Sequence, residues 1–236
     1  MTKKIIIGIV AVAVVLGLGY MFSSKKSAQD IYVFVESGKV STKENKEGSY
    51  MELAEKKKVL KTGAFVKTEA GLAHVLFPDN SSLSLGENSE IEVIYSKKST
   101  SINQLAGDTY HRVQKLVTGN TYSVYTAGTL AAVRGTKFAV RYDIKTKKAK
   151  VAVTENTVAV SRLTASSTEM DVSVGIQATV DETISITNGK QLVTLSPTKN
   201  DVTVKVWLER NALLDEYINK DGRAILENLI KTEATG

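Results

Sequence analysis

Ser82-Leu83-Ser84-Leu85-Gly86 and, after Glu87-Asn88, Ser89-Glu90-Ile91-Glu92-Val93-Ile94-Tyr95 alternate polar and apolar side chains with period two. Successive side chains of an extended strand point to opposite faces, so this spacing predicts two half-buried strands. The pattern continues in both directions. Upstream, Val59 to Gly63 leads into Ala64-Phe65-Val66-Lys67-Thr68, and Gly71 to Phe77 ends at the turn Pro78-Asp79-Asn80. Ile31 to Val35 is a further strand, and the polar stretch 37–58 holds a hairpin with arms at Gly38 to Ser41 and Ser49 to Leu53. Downstream, Asp108 to Val113, Thr121 to Thr126 and Thr136 to Tyr142 read as strands. Lys150 to Thr154 and Thr157 to Val160 are expected to form a hairpin across Glu155-Asn156. Asn188-Gly189 joins Thr183 to Ile186 to Gln191 to Leu195, and Asn-Gly suits a turn that needs positive φ at both central residues. Strands of about six residues at near-regular spacing predict an all-β solenoid, sandwich or barrel.

After Pro197 the period changes. Val204, Trp207, Leu208, Leu214, Tyr217 and Ile218 fall on one helical stripe, and Lys220-Asp221-Gly222 separates it from a second short helix marked by Ile225, Leu226, Leu229 and Ile230. These helices are expected to pack on the β core or to cap its open end; a partner-binding amphipathic helix is the alternative.

The other end of the chain is of a different kind. Ile5 to Phe22 carries no charge and is flanked by Lys3, Lys4, Lys25 and Lys26. A helix rising about 1.5 Å per residue covers about 27 Å over this run, close to the roughly 30 Å bilayer core. The run is longer than the about 7–15 residues of a secretory signal, and Tyr20-Met21-Phe22 is bulky where a cleavage site wants small residues. An uncleaved transmembrane anchor over residues 5–22 is therefore expected, with the lipid bilayer as its partner; Ser23, Ser24 and Ala28 leave a cut conceivable. The lysine pairs nearly cancel under the positive-inside rule, and the free amino terminus tips the N-terminus toward the cytoplasm. The expected organisation is an anchor at 1–27, a leading β segment at 28–58, a β domain at 59–185, and a closing hairpin with C-terminal helices at 186–236.

The formal net charge of +6 includes the four lysines that flank the apolar run, so the domain is only mildly basic, and no nucleic-acid partner is expected. The absence of cysteine excludes a disulfide framework, a zinc ribbon and a thiol nucleophile. His74 and His111 have no second histidine or carboxylate at ligand spacing, so no metal site or cofactor is expected. Glu90 and Glu92 share one strand face and read as solvated rather than catalytic. Tyr110, Tyr122, Tyr125 and Tyr142 read as cross-strand partners. Lys56-Lys57-Lys58 reads as a solvated edge, with contact to anionic lipid as the alternative. No phosphate loop or nucleophile elbow occurs, and no catalytic residue is assigned.

Thr126-Ala127-Gly128-Thr129-Leu130-Ala131-Ala132-Val133-Arg134-Gly135-Thr136-Lys137-Phe138-Ala139-Val140 resembles the signature of the FecR domain family, a threonine and a short small-residue segment followed by Val-Arg-Gly-Thr-x-Phe-x-Val. Leu60 to Leu85, Gly107 to Val113, Val151 to Val160 and Val174 to Val180 are similar to its other strands, so the resemblance spans about residues 59 to 185. Two departures stand out: Asn80 occupies the place of a usual glycine, which requires a left-handed asparagine, and Asn156 stands where a Glu-Gly turn is usual. The resemblance implies an all-β extracytoplasmic domain that binds or signals rather than catalyses. The best-known members are iron-siderophore signal transducers with a cytoplasmic anti-sigma domain before the membrane helix. Here Met1 to Lys4 precede the apolar run, so sigma-factor regulation by this chain alone is not expected. Val133, Arg134, Gly135, Thr136 and Phe138 are the signature residues, with structural roles expected: Gly135 for a tight turn or close backbone approach, Arg134 buried against carbonyl oxygens. A clamp on a ligand carboxylate is the functional alternative for Arg134. The chain is thus expected to bind an envelope protein or polymer, possible signalling included; the alternative is a structural component of the envelope that assembles through exposed strand edges.

Overall fold

The computed structural model describes residues 30–165, 170–178, 182–187 and 193–215. The apolar run 5–22, the turn at Asn188-Gly189 and the second C-terminal helix lie outside them. Among the described residues no helix is long and apolar enough to cross a membrane.

Fifteen strands and a helix make up the described fold. The strands are β1 Ile31–Lys43, β2 Met51–Glu52, β3 Lys57–Leu60, β4 Ala64–Leu76, β5 Ser82–Leu85, β6 Glu90–Tyr95, β7 Ser99–Arg112, β8 Thr121–Thr126, β9 Thr129–Val133, β10 Lys137–Asp143, β11 Lys148–Glu155, β12 Val158–Ala165, β13 Met170–Ala178, β14 Glu182–Thr187 and β15 Val193–Pro197. The helix, α1, is described over 202–215.

Three long strands create two layers. The first half of β7 pairs with β6 and, in parallel, with β8; its second half pairs with β5 and β10. β4 divides in the same way, with Ala64 to Lys67 on β6 and Ala73 to Leu76 on β5. β1 follows β4 along its length, from Tyr32↔Leu76 to Lys43↔Phe65, with Gly38 opposite Gly71 at the bend. The leading segment is therefore built into both layers. β7 bends at Gly107, where φ is +84°. From there the chain adds hairpins to the layers alternately: β8–β9 to the front, β10–β11 to the back, β12 with β13 to the front, β14 with β15 to the back. The result combines the facing sheets of a sandwich with the stepwise growth of a solenoid.

The hairpin expected across Glu155-Asn156 does not form. β11 pairs with β10 and β14, and β12 with β9 and β13. Val153 and Val158 both enter the common core, so the chain must cross from one layer to the other between them. The hairpin expected in 37–58 does form, as β1 with β2 in the register Ser41↔Glu52.

Ile91 and Val93 from the front layer and Leu83 and Leu85 from the back layer point into one core. The opening alternation is thus confirmed, with one difference. β6 is half-buried, whereas β5 is buried on both faces, Ser82 and Ser84 included. The cover on the outer face is α1, whose Val204, Trp207 and Leu208 lie on Tyr110, Ala139 and Ala152, and whose Leu214 lies beside Phe34 and Leu76. Asp201 starts this helix: its carboxylate accepts a hydrogen bond from the Val204 amide at 3.3 Å and an ion pair from Lys150.

Candidate functional site

The chain crosses between layers at 113–117, 134–136 and 155–157, and these crossings stack side by side on one edge. The Val113 amide donates to the Thr136 carbonyl at 3.0 Å, the Thr136 hydroxyl to the Thr157 carbonyl at 3.3 Å, and the Asn156 side-chain amide to the Gly135 carbonyl at 2.7 Å. Together with the end of β7 and the start of β10 they wall an open cleft of about 840 Å³. A cleft of this size falls in the range of ligand sites.

The signature residues build this edge. Gly135 has φ +84°, and a Cβ there would sit 2.9 Å from the Lys115 Cα, so only glycine lets the second crossing lie against the first. This is the close backbone approach expected of it. Thr136 and Phe138 are buried, and Phe138 stacks on the His111 ring at 4.7 Å between centroids; Val133 is buried in the same core as Phe138. Arg134 corrects the sequence reading. It is exposed rather than buried against carbonyls, and its guanidinium donates one hydrogen bond, to the Thr118 hydroxyl at 3.3 Å. β9 alternates buried and half-buried residues from Thr129 to the buried Val133, and Arg134 takes the next, outward position, so its side chain leaves the core and stands at the rim of the cleft.

Charge in the cleft is unevenly satisfied. Lys137 pairs with Glu155 at 2.9 Å and approaches Asp215 at 3.6 Å, and Arg112 pairs with Asp215. Among the described residues, Lys115 and Arg134 have no ion-pair partner. Lys115 was not singled out from sequence, because nothing in the polar stretch after Val113 marks it; only the contact with Gly135 brings it to the site.

A second polar cluster lies under α1. The Arg112 guanidinium, 3% exposed, donates to Ser84 Oγ at 2.8 Å and to the carbonyl and side-chain oxygens of Asn211, both at 3.1 Å, besides its pair with Asp215. His74 contacts Ser84 Oγ at 2.9 Å and Glu36 at 2.7 Å, and Arg210 donates to the same Glu36 at 2.5 Å. The carboxylate partner that His74 lacks in local sequence comes from 38 residues away. Burial raises the Glu36 carboxyl, but hydrogen bonds from His74 and Arg210 outweigh it and bring its pKa to about 2. Asn80 adopts the positive φ that its departure requires, and Asn156 has a positive φ as well.

His111 sits in the core instead. Its ring nitrogens meet the Tyr122 hydroxyl at 2.8 Å and the Thr109 hydroxyl at 2.7 Å, across the two layers. Burial, helped by the Arg112 charge, lowers its pKa from 6.5 to about 3; burial also lowers that of His74. Both histidines are thus easier to protonate in the unfolded chain. The stability they confer is present above the unfolded pKa and is lost as pH falls from 6.5 toward the folded value. His111 alone is expected to cost on the order of 2 kcal/mol between pH 8 and pH 5. Glu36, lowered to about 2, begins to matter only below pH 4.5. Denaturant midpoints measured across pH 5–8 should therefore fall with acid, and the fall should flatten in a His74→Gln/His111→Gln double variant.

The two-layer strand order and the edge formed around Val-Arg-Gly-Thr invite comparison with known proteins. Residues 64–159 match the FecR protein family. All three crossings that wall the cleft fall within this FecR-like segment. A crystal structure of a proposed anti-sigma factor from Parabacteroides distasonis shares the fold at a TM-score of 0.50 and 16% identity, covering 61% of this chain and 64% of that one. A second crystal structure of the same description and organism gives a TM-score of 0.47 at 15% identity, over 56% and 59%. The FecR-like chain therefore spans less than two thirds of the length of these structures, and at such identity the likeness is one of fold. No curated protein matches the sequence.

Proposed function

We propose that this chain is a membrane-tethered regulatory binding module. The run at 5–22 anchors it with the N-terminus in the cytoplasm, and the FecR-like domain outside the cytoplasm engages a partner protein through the cleft, as a step in signalling rather than in catalysis. The observation that carries this reading is the coincidence of the family match with the cleft: the Val-Arg-Gly-Thr signature shapes its middle wall and sets Arg134 at its rim, with no ion-pair partner among the described residues. The uncharged run at the N-terminus supports the tether. The fold shared with a proposed anti-sigma factor is consistent with a regulatory role.

The absence of native cysteine makes the test direct. Lys145 lies in an exposed turn, so a Lys145→Cys variant offers one thiol. A membrane-impermeant maleimide should label it in intact cells with any outer membrane permeabilised. A photo-crosslinking residue at exposed Gln114, on the cleft wall, should yield a discrete higher-mass product. Labelling only after lysis would refute the topology, and absence of any discrete product would refute the partner-binding role.

A further inference from the structure

The cleft holds two cations whose charge the described fold leaves unanswered. Arg112 and Lys137 are committed to Asp215 and Glu155. Lys115 and Arg134 have no such carboxylate, yet the 2.9 Å approach of the Gly135 position to the Lys115 backbone keeps them on adjoining crossings. A glycine that admits no side chain holds the two crossings that carry them against each other. The Thr118 hydroxyl orients the Arg134 guanidinium at 3.3 Å without neutralising it. A guanidinium and a lysine ammonium that line one cleft suit an oxyanion.

We infer that the cleft binds an acidic peptide segment of the partner protein, with one or two carboxylates seated on Arg134 and Lys115. This rests on the partner-binding reading above and adds the chemistry of what is bound. Two features favour a peptide over a polyanionic polymer. Among the described residues that line the cleft, two cations lack an ion-pair partner, flanked by the amides of Gln114 and Asn156 and the hydroxyl of Thr157, which suits sparse charge set among hydrogen-bonding groups. A phosphodiester chain carries a charge at each repeat and calls for a longer row of cations. Among the described residues no aromatic side chain lines the cleft to stack on a nucleobase.

The test uses the isotope-labelled full chain in detergent micelles and follows backbone amide shifts. The probe is a capped hexapeptide with two adjacent glutamates; the comparison is the same peptide with two glutamines. Two charge-assisted contacts predict a Kd on the order of 1 mM. The glutamate peptide should shift the amides of Lys115, Gly135 and Asn156, and the glutamine peptide should not. A Lys115→Gln/Arg134→Gln variant, changed only at exposed side chains, should bind at least about tenfold more weakly. A Lys97→Gln/Lys145→Gln variant, with the same loss of net charge elsewhere on the surface, should bind within about twofold of the unaltered chain. Three results would each overturn the inference: no cleft shift at about 10 mM peptide, equal weakening in both double variants, or cleft shifts with polyphosphate but not with the glutamate peptide. The Gln114 crosslink separates the two levels of the argument. A product that persists unchanged in the Lys115→Gln/Arg134→Gln variant overturns the acidic-peptide inference while the partner-binding reading stands.

Discussion

Replacing Gly107 with alanine is expected to destabilise the domain by about 3 to 5 kcal/mol, lowering the melting temperature by about 10 °C or more. Gly107 is where β7 leaves one pair of neighbours for another, and its φ of +84° is a conformation that L side chains rarely adopt. A Cβ there would also lie 2.2 Å from Ser89 Oγ, 2.5 Å from Ser89 Cα and 2.7 Å from the Asn88 carbonyl oxygen. Rotating the serine would clear the first contact, but the other two are backbone. The Ser89 hydroxyl also accepts the Asp108 amide at 2.8 Å and donates to the Asp108 carbonyl at 3.1 Å, so displacing it breaks the stitch that holds the bend. Gly119 separates the two contributions. Its φ is +89° but nothing lies within 4 Å of the added methyl, so Gly119→Ala should cost only about 1 to 2 kcal/mol. Thermal melts of the two variants side by side provide the measurement; equal losses would mean that backbone conformation alone, and not the contact at the bend, sets the cost.

Arg112→Leu is expected to cost about 3 to 5 kcal/mol and to loosen α1 before the rest of the domain unfolds. The guanidinium joins Ser84 on the sheet to Asn211 and Asp215 on the helix, and it lies over the Tyr110 ring at 4.6 Å. Leucine replaces some of the lost packing but leaves the Asp215 carboxylate, 14% exposed, with only Lys137 at 3.6 Å and the Tyr110 hydroxyl at 3.1 Å. The penalty of a poorly compensated charge then outweighs the gain from an apolar side chain. The chain has a single tryptophan, and it lies on the inward stripe of α1. Trp207 emission is therefore a local reporter: in the variant it should shift to the red at a lower denaturant concentration than the far-ultraviolet signal of the sheets. A single coincident transition would show that the helix and sheets unfold as one unit and that Arg112 is no separate latch.

Much of this architecture is legible in local pattern. The alternation through Ser82 to Tyr95 locates two strands and their inward residues, because period two is a property of the extended chain itself. The stripe of Val204, Trp207, Leu208 and Leu214 locates α1 and the face that it buries, for the corresponding reason at period 3.6. The pairing partners were less accessible. Lys150 to Thr154 and Thr157 to Val160 read as a hairpin because they are close in sequence, but the core claims Val153 and Val158 from opposite layers. Local proximity gives way to burial there. Arg134 likewise read as buried, its five donors set against carbonyl oxygens beside Gly135, whereas it follows the buried Val133 on the outward side of β9.

The amino-acid sequence by itself determined alternating strands such as Ser82–Leu85 and Glu90–Tyr95, the helix and the apolar run at 5–22, because each depends on periodicity or hydropathy over a few residues; the polar first half of β7, from Ser99, and the small-residue β9 carry no such pattern. Only the tertiary structure decided which strands share a layer, that Ser84 faces a covered polar cluster, and that His74 meets a carboxylate 38 residues away. It also decided that Lys115 and Arg134 line one cleft without an ion-pair partner among the described residues. These depend on where a bend at Gly107 and a glycine contact at Gly135 bring distant backbones together, and no local pattern encodes the distance between two segments that meet only when the layers close.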